Sequence, residues 1–201
     1  MDTKTKTIQT YNTSAQALAD KFDALGARLS DINEAFALIK KGNPRVIEIG
    51  CGNGRDAATI CALTNDYLGL DISTNLLQIA RHKVPQGRFE EADVETYEFP
   101  SGVDIVFSFA SLIHTPIDRL EKVFRSIYTT LNPGGVFRLS MKGADRYHEV
   151  TKSDEFGTRT YYHYSQGDIE RLAQDFLFLK NEVDTLRGQQ WLELLLQKPN
   201  N

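Results

Sequence analysis

The stretch VIEIGCGNGRD, residues 46–56, decides the fold class of this chain. Its apolar first half predicts a short buried strand, and RDAATICALT (55–64) predicts a helix directly after it. Between them Gly50, Gly52 and Gly54 allow backbone and ligand to approach closely. The spacing G-x-G-x-G differs from the dinucleotide fingerprint G-x-G-x-x-G, and the Gly-Lys-Ser/Thr ending of a P-loop is absent. A strand, a glycine turn and a helix therefore predict a ligand site where the strand ends.

Strands and helices alternate along the chain around this stretch. The pattern predicts strands at 45–50, 67–73, within 87–94, 103–114, 135–142, 177–185 and 189–198. It predicts helices over 11–39 with an interruption at Gly26, and over 55–64, 73–84, 118–131 and 165–176, while residues 1–10 are expected to be loose. The first strands are almost continuously apolar, which favours a parallel sheet covered on both faces. The last two strands predict a hairpin that adds one antiparallel strand.

The composition is that of an ordinary globular protein of 201 residues, with a net charge of −4. This length suits one domain, and a mildly acidic chain is a poor partner for nucleic acid. The two cysteines, Cys51 and Cys61, form neither a disulfide framework nor a zinc pattern, and no metal site is expected. No apolar run reaches the ~20 residues of a membrane helix, and the first residues lack a signal-peptide pattern. We expect a cytoplasmic protein without membrane contact, either a monomer or a homodimer.

Acidic residues stand near the ends of the first three predicted strands. Glu48 would repel a pyrophosphate and suits a cationic ligand, although it is equally typical of a solvated strand end. Asp71, about twenty residues past the glycines, is placed to accept hydrogen bonds from ribose hydroxyls. Asp93 could accept from an adenine amino group, and the N–H of Val94 could donate to a ring nitrogen. Asp93 also lies in an acidic run, which is equally typical of a solvated surface.

These acids, the glycine loop and the turn NPGG (132–135) resemble, in their order and spacing, class I S-adenosylmethionine-dependent methyltransferases, specifically the small single-domain ones. The resemblance covers about residues 40–142 and the terminal hairpin. It implies an α/β fold: a Rossmann-like, doubly wound sheet of seven strands, mostly parallel with an antiparallel last strand, in one domain over 1–201. It implies direct in-line methyl transfer from S-adenosyl-L-methionine, with S-adenosyl-L-homocysteine as product. The expected cofactor-binding residues are Glu48, Gly50, Cys51, Gly52, Asn53, Gly54, Arg55, Asp71, Ile72, Asp93, Val94 and Phe109.

Two further segments are expected to form the side of the site that faces the methyl acceptor. Residues 1–40 are expected to form an N-terminal helical lid, and residues 143–165 an insertion facing the acceptor. His114 follows the fourth strand and is a candidate catalytic base, although it is equally typical of a loop histidine. The expected substrate-binding residues are Tyr11, His114, Tyr161 and His163. Alternation along a short strand would also explain Tyr161 and His163.

The favoured acceptor is a small molecule of unknown identity. The stretch RTYYHY (159–164) also resembles a segment of tRNA wobble-uridine methyltransferases, so an RNA-modifying methyltransferase is an alternative. A third hypothesis, from a different functional class, is a nucleotide-dependent oxidoreductase or an inactive cofactor-binding module. The chemistry of the glycine loop alone does not separate these alternatives.

Overall fold

The computed structural model describes residues 2–200 as a central sheet with helices on both faces and a separate two-stranded hairpin. The strands are β1 (Arg45–Ile49), β2 (Asp66–Asp71), β3 (Arg88–Glu91), β4 (Val103–Phe109), β5 (Leu131–Lys142), β6 (His148–Asp154), β7 (Gly157–His163), β8 (Leu177–Leu186) and β9 (Gln189–Gln197). The helices are α1 (Thr3–Thr13), α2 (Ala15–Asp23), α3 (Leu29–Leu38), α4 (Ala57–Cys61), α5 (Thr74–Lys83), α6 (Ile117–Thr130) and α7 (Gln166–Leu172). No helix within residues 2–200 has the length and apolar character needed to cross a bilayer.

The seven-stranded sheet has the order β3–β2–β1–β4–β5–β9–β8. Strands β1 to β5 pair in parallel, whereas β9 pairs antiparallel with both β5 and β8. In this sheet β9 alone therefore runs against the others, and the predicted mostly parallel sheet with an antiparallel last strand is confirmed. The carboxyl ends of β1, β2 and β4 meet at one edge, because Glu48 is opposite Gly69 on one side and Phe107 on the other.

Both faces of the sheet are buried by helices with one apolar side. Helix α6 places Leu120, Val123, Phe124 and Ile127, which recur at helical spacing, against the core. Ile32 and Ala35 of α3 and Ile60 of α4 belong to the cluster on the other face. These layers leave the carboxyl edge of the parallel strands open to the N-terminal helices and the β6–β7 hairpin.

The expectation that residues 1–10 are loose is wrong, because α1 begins at Thr3. The carboxylate of Asp2 caps this helix by accepting the N–H of Thr5 at 2.9 Å. Tyr11, expected at the start of the helix, lies near its end. The helix was missed because its buried side is polar: the hydroxyls of Thr7 and Thr10 hydrogen-bond to the backbone of β7 at 3.0 and 2.8 Å.

Two further elements are shorter than expected. The fourth strand ends at Phe109 rather than at His114, because Ala110 turns the backbone at a φ of 55° and a 3₁₀ turn covers Leu112–His114. The helix expected over 55–64 is also shorter, because α4 has only five residues. The early turn carries His114 out of the sheet and over its carboxyl edge. By contrast, Gly26 interrupts the N-terminal helices as expected, with a φ of 73°.

Candidate active site

A cavity of about 420 Å³ lies at the carboxyl edge of the parallel strands, between the glycine loop, helices α1 and α2, and strand β7. The expected site residues that line it are Tyr11, Glu48, Gly50, Cys51, Gly52, Asn53, Arg55, Asp71, Ile72, Asp93, Val94, Phe109, His114 and Tyr161. Gly54 and His163 do not line it. Within residues 2–200, no group of three or more His, Cys, Asp or Glu side chains could hold a metal ion.

The three glycines of the loop have three different roles, although all three have positive φ. A Cβ at Gly50 would lie 2.0 Å from the hydroxyl of Ser111, so glycine here permits the loop after β4 to approach. A Cβ at Gly52 would meet no atom within 4 Å, and this residue faces the cavity. A Cβ at Gly54 would lie 3.2 Å from Ala80 of α5. Gly54 is therefore a packing position, which explains why it does not line the cavity.

Asp71 ties the glycine loop to the end of β2. Its two carboxylate oxygens accept the backbone N–H groups of Gly52 and Ser73, each at 2.8 Å. Burial raises the pKa of this carboxyl group, and the two backbone donors oppose the shift. A carboxylate oxygen can accept more than one hydrogen bond, so Asp71 can still accept from a ligand hydroxyl.

Glu48 is buried at the end of β1 and accepts the hydroxyl of Tyr67 at 2.6 Å. Burial, together with the nearby Asp56 carboxylate, raises the pKa of Glu48 to about 8. At neutral pH the carboxyl group therefore holds a proton for most of the time. A cation placed beside it would favour the carboxylate and release that proton.

The polar side chains of Asn53, Arg55 and Asp56 bond to one another or to the N-terminal segment rather than to α4. Asn53 is buried, and its amide donates to the carboxylate of Asp23 in α2 at 2.8 Å. Asp56 pairs with Arg55 and accepts the backbone N–H of Arg28 at 2.8 Å, but its side chain makes no capping bond to α4. These bonds connect the glycine loop to the N-terminal helices, which a reading of local sequence does not show.

Asp93 is bound to the first helix. Its carboxylate accepts from the ammonium of Lys4 at 2.7 Å and from the N–H of Glu95 at 3.1 Å. Lys4 also pairs with the Glu95 carboxylate at 2.9 Å. The acidic run is therefore an attachment point for α1 as well as part of the cavity wall.

His114, Tyr11 and Tyr161 come together on the opposite side of the cavity. His114 Nδ1 lies 2.6 Å from the carbonyl oxygen of Thr160, which can only accept, so Nδ1 carries the proton. Nε2 then accepts the hydroxyl of Tyr11 at 2.8 Å, and the Tyr161 ring centre lies 4.9 Å from that of His114. Burial lowers the pKa of His114 to about 4, so the imidazole is neutral at pH 7.

His163 lies on the same face of β7 as Tyr161 but farther along the strand, outside the cavity wall. Its ring stacks on that of His148, with 4.7 Å between the centres. Burial, followed by the charge of Lys142, lowers the pKa of His163 to about 4. The structure therefore does not bring His163 to the other expected acceptor residues.

The sequence analysis did not identify several residues that line the cavity, among them Arg159, Lys142, Trp191 and Ser111. Two signals could have found the cations. Arg159 stands two residues before Tyr161 and so shares its strand face, and Lys142 ends the fifth predicted strand at the carboxyl edge. Trp191 lies in β9, far along the chain from the other cavity residues, so no local sequence pattern indicated that it lines the cavity.

Comparison with known proteins identifies the segment that carries the site. Residues 46–135 match the family model described as a methyltransferase domain. A trans-aconitate 2-methyltransferase of Rhodopseudomonas palustris is 33% identical over 99 residues, which are 48% of this chain and 38% of that protein. A ubiquinone biosynthesis O-methyltransferase of Photorhabdus laumondii is 28% identical over 152 residues, which are 65% of this chain and 62% of that protein. The chain thus covers less than two thirds of either relative.

The solved structures extend the likeness in fold to almost the whole chain. The magnesium protoporphyrin IX methyltransferase of Synechocystis PCC 6803, solved with bound SAM, has a TM-score of 0.73 at 15% identity, covering 98% of both chains. The family match begins at Val46, the second residue of β1, and so contains the glycine loop and Asp71. This match, which covers less than half of the chain, and the order of the sheet support a class I S-adenosylmethionine-dependent methyltransferase.

Proposed function

We propose that this protein transfers a methyl group from S-adenosyl-L-methionine to a small-molecule acceptor by direct in-line displacement. The observation that carries the proposal is the Asp71 carboxylate, held by the N–H of Gly52 where the loop opens into the cavity. S-adenosyl-L-homocysteine is the expected product. An RNA substrate and an oxidoreductase have no comparable observation in their favour.

The residues around the glycine loop fit this cofactor. The space at Gly52 that a Cβ would occupy is open, so backbone can contact a ligand there. Asp71 suits a ribose diol, and the buried Glu48 suits an ammonium group. The Glu48 carboxyl group becomes charged readily only beside a cation, which favours the ammonium of S-adenosylmethionine over the pyrophosphate of a dinucleotide.

The chain's part in the reaction is mainly to position the reactants. When bound, S-adenosylmethionine supplies a methyl group on a sulfonium whose sulfur leaves as a neutral thioether. Tyr11, His114 and Tyr161 form the wall that an acceptor would face, and holding an acceptor in line contributes several kcal/mol. If the acceptor must lose a proton, neutral His114 could receive it at Nε2 through the Tyr11 hydroxyl. The role of His114 as catalytic base is part of this proposal.

The lid over residues 1–40 and the insertion over 143–165 are proposed to close one domain around the reactants. Helix α1 supports this role because it bonds to both sides of the cavity: Lys4 pairs with Asp93, and Thr10 donates to the backbone of β7. The two segments can therefore exclude water together. A cytoplasmic location and a monomeric or homodimeric state stay predictions.

The affinity for S-adenosylhomocysteine is expected to rise with pH between 6 and 8. The pKa of Glu48 is raised to about 8, so below that value the carboxyl group must release a proton before it can face the ligand ammonium as a carboxylate. Linkage then predicts up to about a tenfold increase in affinity per pH unit. Calorimetry in buffers of different ionisation enthalpy should detect about one proton released per ligand at pH 7.

The matched control is Glu48→Gln, which cannot ionise. We expect it to bind S-adenosylhomocysteine more weakly and without this pH dependence. A flat pH profile for the unmodified protein, or the same slope in Glu48→Gln, would show that Glu48 does not face the ammonium.

Alanine at Gly52 and at Gly54 should separate ligand contact from packing. Both residues have positive φ, so each substitution should lower the free energy of unfolding by ~1–2 kcal/mol. Only Gly52→Ala places a methyl group in the cavity, and it should also weaken S-adenosylhomocysteine binding by ~1–3 kcal/mol. Thermal melts and calorimetry measure the two effects. Equal loss of affinity in both variants would contradict the assigned roles.

The proposed function is tested directly by methyl transfer from tritium-labelled S-adenosylmethionine to pools of small molecules, with bulk tRNA as a parallel substrate. We expect label in at least one small-molecule pool and none in tRNA. Label in tRNA alone would replace the proposal with the RNA-modifying alternative.

A further inference from the structure

The ionisable residues that line the cavity divide by charge across the sheet. The ends of β1 and β2, the loops after β1 and β3, and the N-terminal helix contribute the carboxylates Glu48, Asp56, Asp71, Asp93 and Glu95 and the cations Lys4 and Arg55. Strand β5 and the β6–β7 hairpin contribute the cations Lys142 and Arg159 and one carboxylate, Asp154, and Lys21 of α2 lies over the Phe156 ring of the same hairpin. The end next to the glycine loop is therefore acidic, and the opposite end is basic.

Arg159 is the most buried of these cations, with 6% of its surface exposed. One terminal nitrogen pairs with Asp154, but Nε has no hydrogen-bond partner among residues 2–200. The guanidinium carbon lies 5.8 Å from the Tyr11 ring centre and 5.9 Å from that of Tyr161. A buried N–H without an acceptor is costly, so an acceptor oxygen is expected to enter the cavity here.

Lys142 also lines the cavity and, unlike Arg159, has no counter-ion among residues 2–200. Its ammonium donates to the side-chain oxygen of Gln189 at 3.3 Å and forms no ion pair within the described part of the chain. Burial, together with the charge of Lys152, lowers its pKa to about 8. The ammonium lies 5.0 Å from the Tyr161 ring centre and 5.1 Å from that of Trp191. A bound anion would relieve this uncompensated charge.

We propose that the methyl acceptor carries an oxyanion group, a carboxylate, phosphonate or phosphate, which Arg159 and Lys142 bind at the basic end of the cavity. The proposal rests on the proposed function, because it names the class of acceptor for that site. A guanidinium presents its donors in one plane and suits paired oxygens, while the ammonium adds a point charge. The acidic end repels the same group, so the charge division also sets the orientation of the acceptor.

Trp191 provides the readout, because it is the single tryptophan of the chain and lines the cavity beside Lys142. The protein, saturated with S-adenosylhomocysteine, is titrated with benzoate, succinate and phenylphosphonate while Trp191 fluorescence is recorded. Each acid is compared with its neutral amide or ester. We expect saturable binding of at least one acid and binding of its neutral counterpart weaker by about tenfold or more. Comparison of benzoate and succinate with phenylphosphonate shows whether the site prefers a carboxylate or a phosphonate.

Variants of Lys142 and Arg159 test whether these two cations bind the acid. Lys142→Gln and Arg159→Gln should each weaken binding of the acid about 10- to 100-fold, since each removes a charge-assisted hydrogen bond. Arg159→Lys should retain part of the affinity. The matched control is Arg125→Gln, because Arg125 is exposed on α6 and does not line the cavity. Lys142 is only half-buried, so Lys142→Gln tests the proposal even if Arg159→Gln fails to fold.

Two outcomes overturn the inference: acids and neutral counterparts bind equally, or Lys142→Gln and Arg159→Lys bind the acid as the unmodified protein does. S-adenosylhomocysteine affinity is measured separately by calorimetry. If that ligand binds and no oxyanion does, the inference fails and the proposed function stands. If S-adenosylhomocysteine does not bind, the proposed function itself fails.

Discussion

Replacing Asp71 with alanine is expected to weaken S-adenosylhomocysteine binding by at least about 100-fold. A hydrogen bond to a charged group contributes roughly 1.5–3 kcal/mol, and the proposed ribose diol would lose two such bonds. The N–H groups of Gly52 and Ser73 would also lose their acceptor, so the loop would be held against β2 only by the bonds of Gly50 and Cys51 to the Leu70 carbonyl oxygen. Calorimetric titration of the folded variant measures the effect.

Asp66→Ala is the matched control for this prediction. Asp66 is the first residue of β2, at the opposite end of the strand from Asp71, and it pairs with Arg45. It does not line the cavity, so its loss should leave the affinity for S-adenosylhomocysteine within about twofold of the unmodified value, as expected of a surface change. If Asp71→Ala retained full affinity, the ribose would lie elsewhere.

Replacing Arg138 with alanine is expected to lower the free energy of unfolding by ~3–5 kcal/mol. Arg138 is 1% exposed in β5, pairs with Asp31 of α3, and lies 3.0 Å from the Glu193 carboxylate of β9. Arg28 pairs with both acids as well, at 2.6 and 2.8 Å. Removing Arg138 would leave two partly buried carboxylates sharing one cation.

Chemical denaturation measures this loss, with Arg125→Ala as control. Arg125 is exposed on α6 and, within residues 2–200, forms an ion pair only with Glu121, one turn away, in an arrangement that contributes little to stability. A small and similar loss in both variants would show that the buried ion network does not hold α3 to the sheet. Because Arg28 leads into α3 and binds Asp56, a weakened network should also loosen the cavity wall.

The sheet and the cofactor end of the cavity could be predicted from the sequence, because their signals are local. The apolar run before Gly50 indicates a buried strand. Parallel strands bring their carboxyl ends to one edge, so Asp71 could be placed beside the glycine loop without knowing any distance. The start of α5 also has a local signal, because Ser73 is of a residue type that favours the N-cap position and its hydroxyl accepts the N–H of Leu76 at 3.3 Å.

The proposed acceptor end could not be predicted as fully, because its contacts join residues far apart in the chain. Lys4 meets Asp93 and Tyr11 meets His114 only when α1 folds over the edge, and α1 itself has no apolar periodicity to reveal it. The alternation along the strand places Tyr161 and His163 on one face, but it does not indicate which residues of that face line the cavity. Arg159, on the same face, lines the cavity in place of His163.

The central claim is that the glycine loop and Asp71 bind the adenosyl cofactor of a methyltransferase. Calorimetric titration of the unmodified protein with S-adenosylhomocysteine, and with NADH as control, tests it most directly. We expect saturable binding of S-adenosylhomocysteine at one site per chain and no heat of binding with NADH. Failure to bind S-adenosylhomocysteine, or binding of NADH in its place, would contradict the claim.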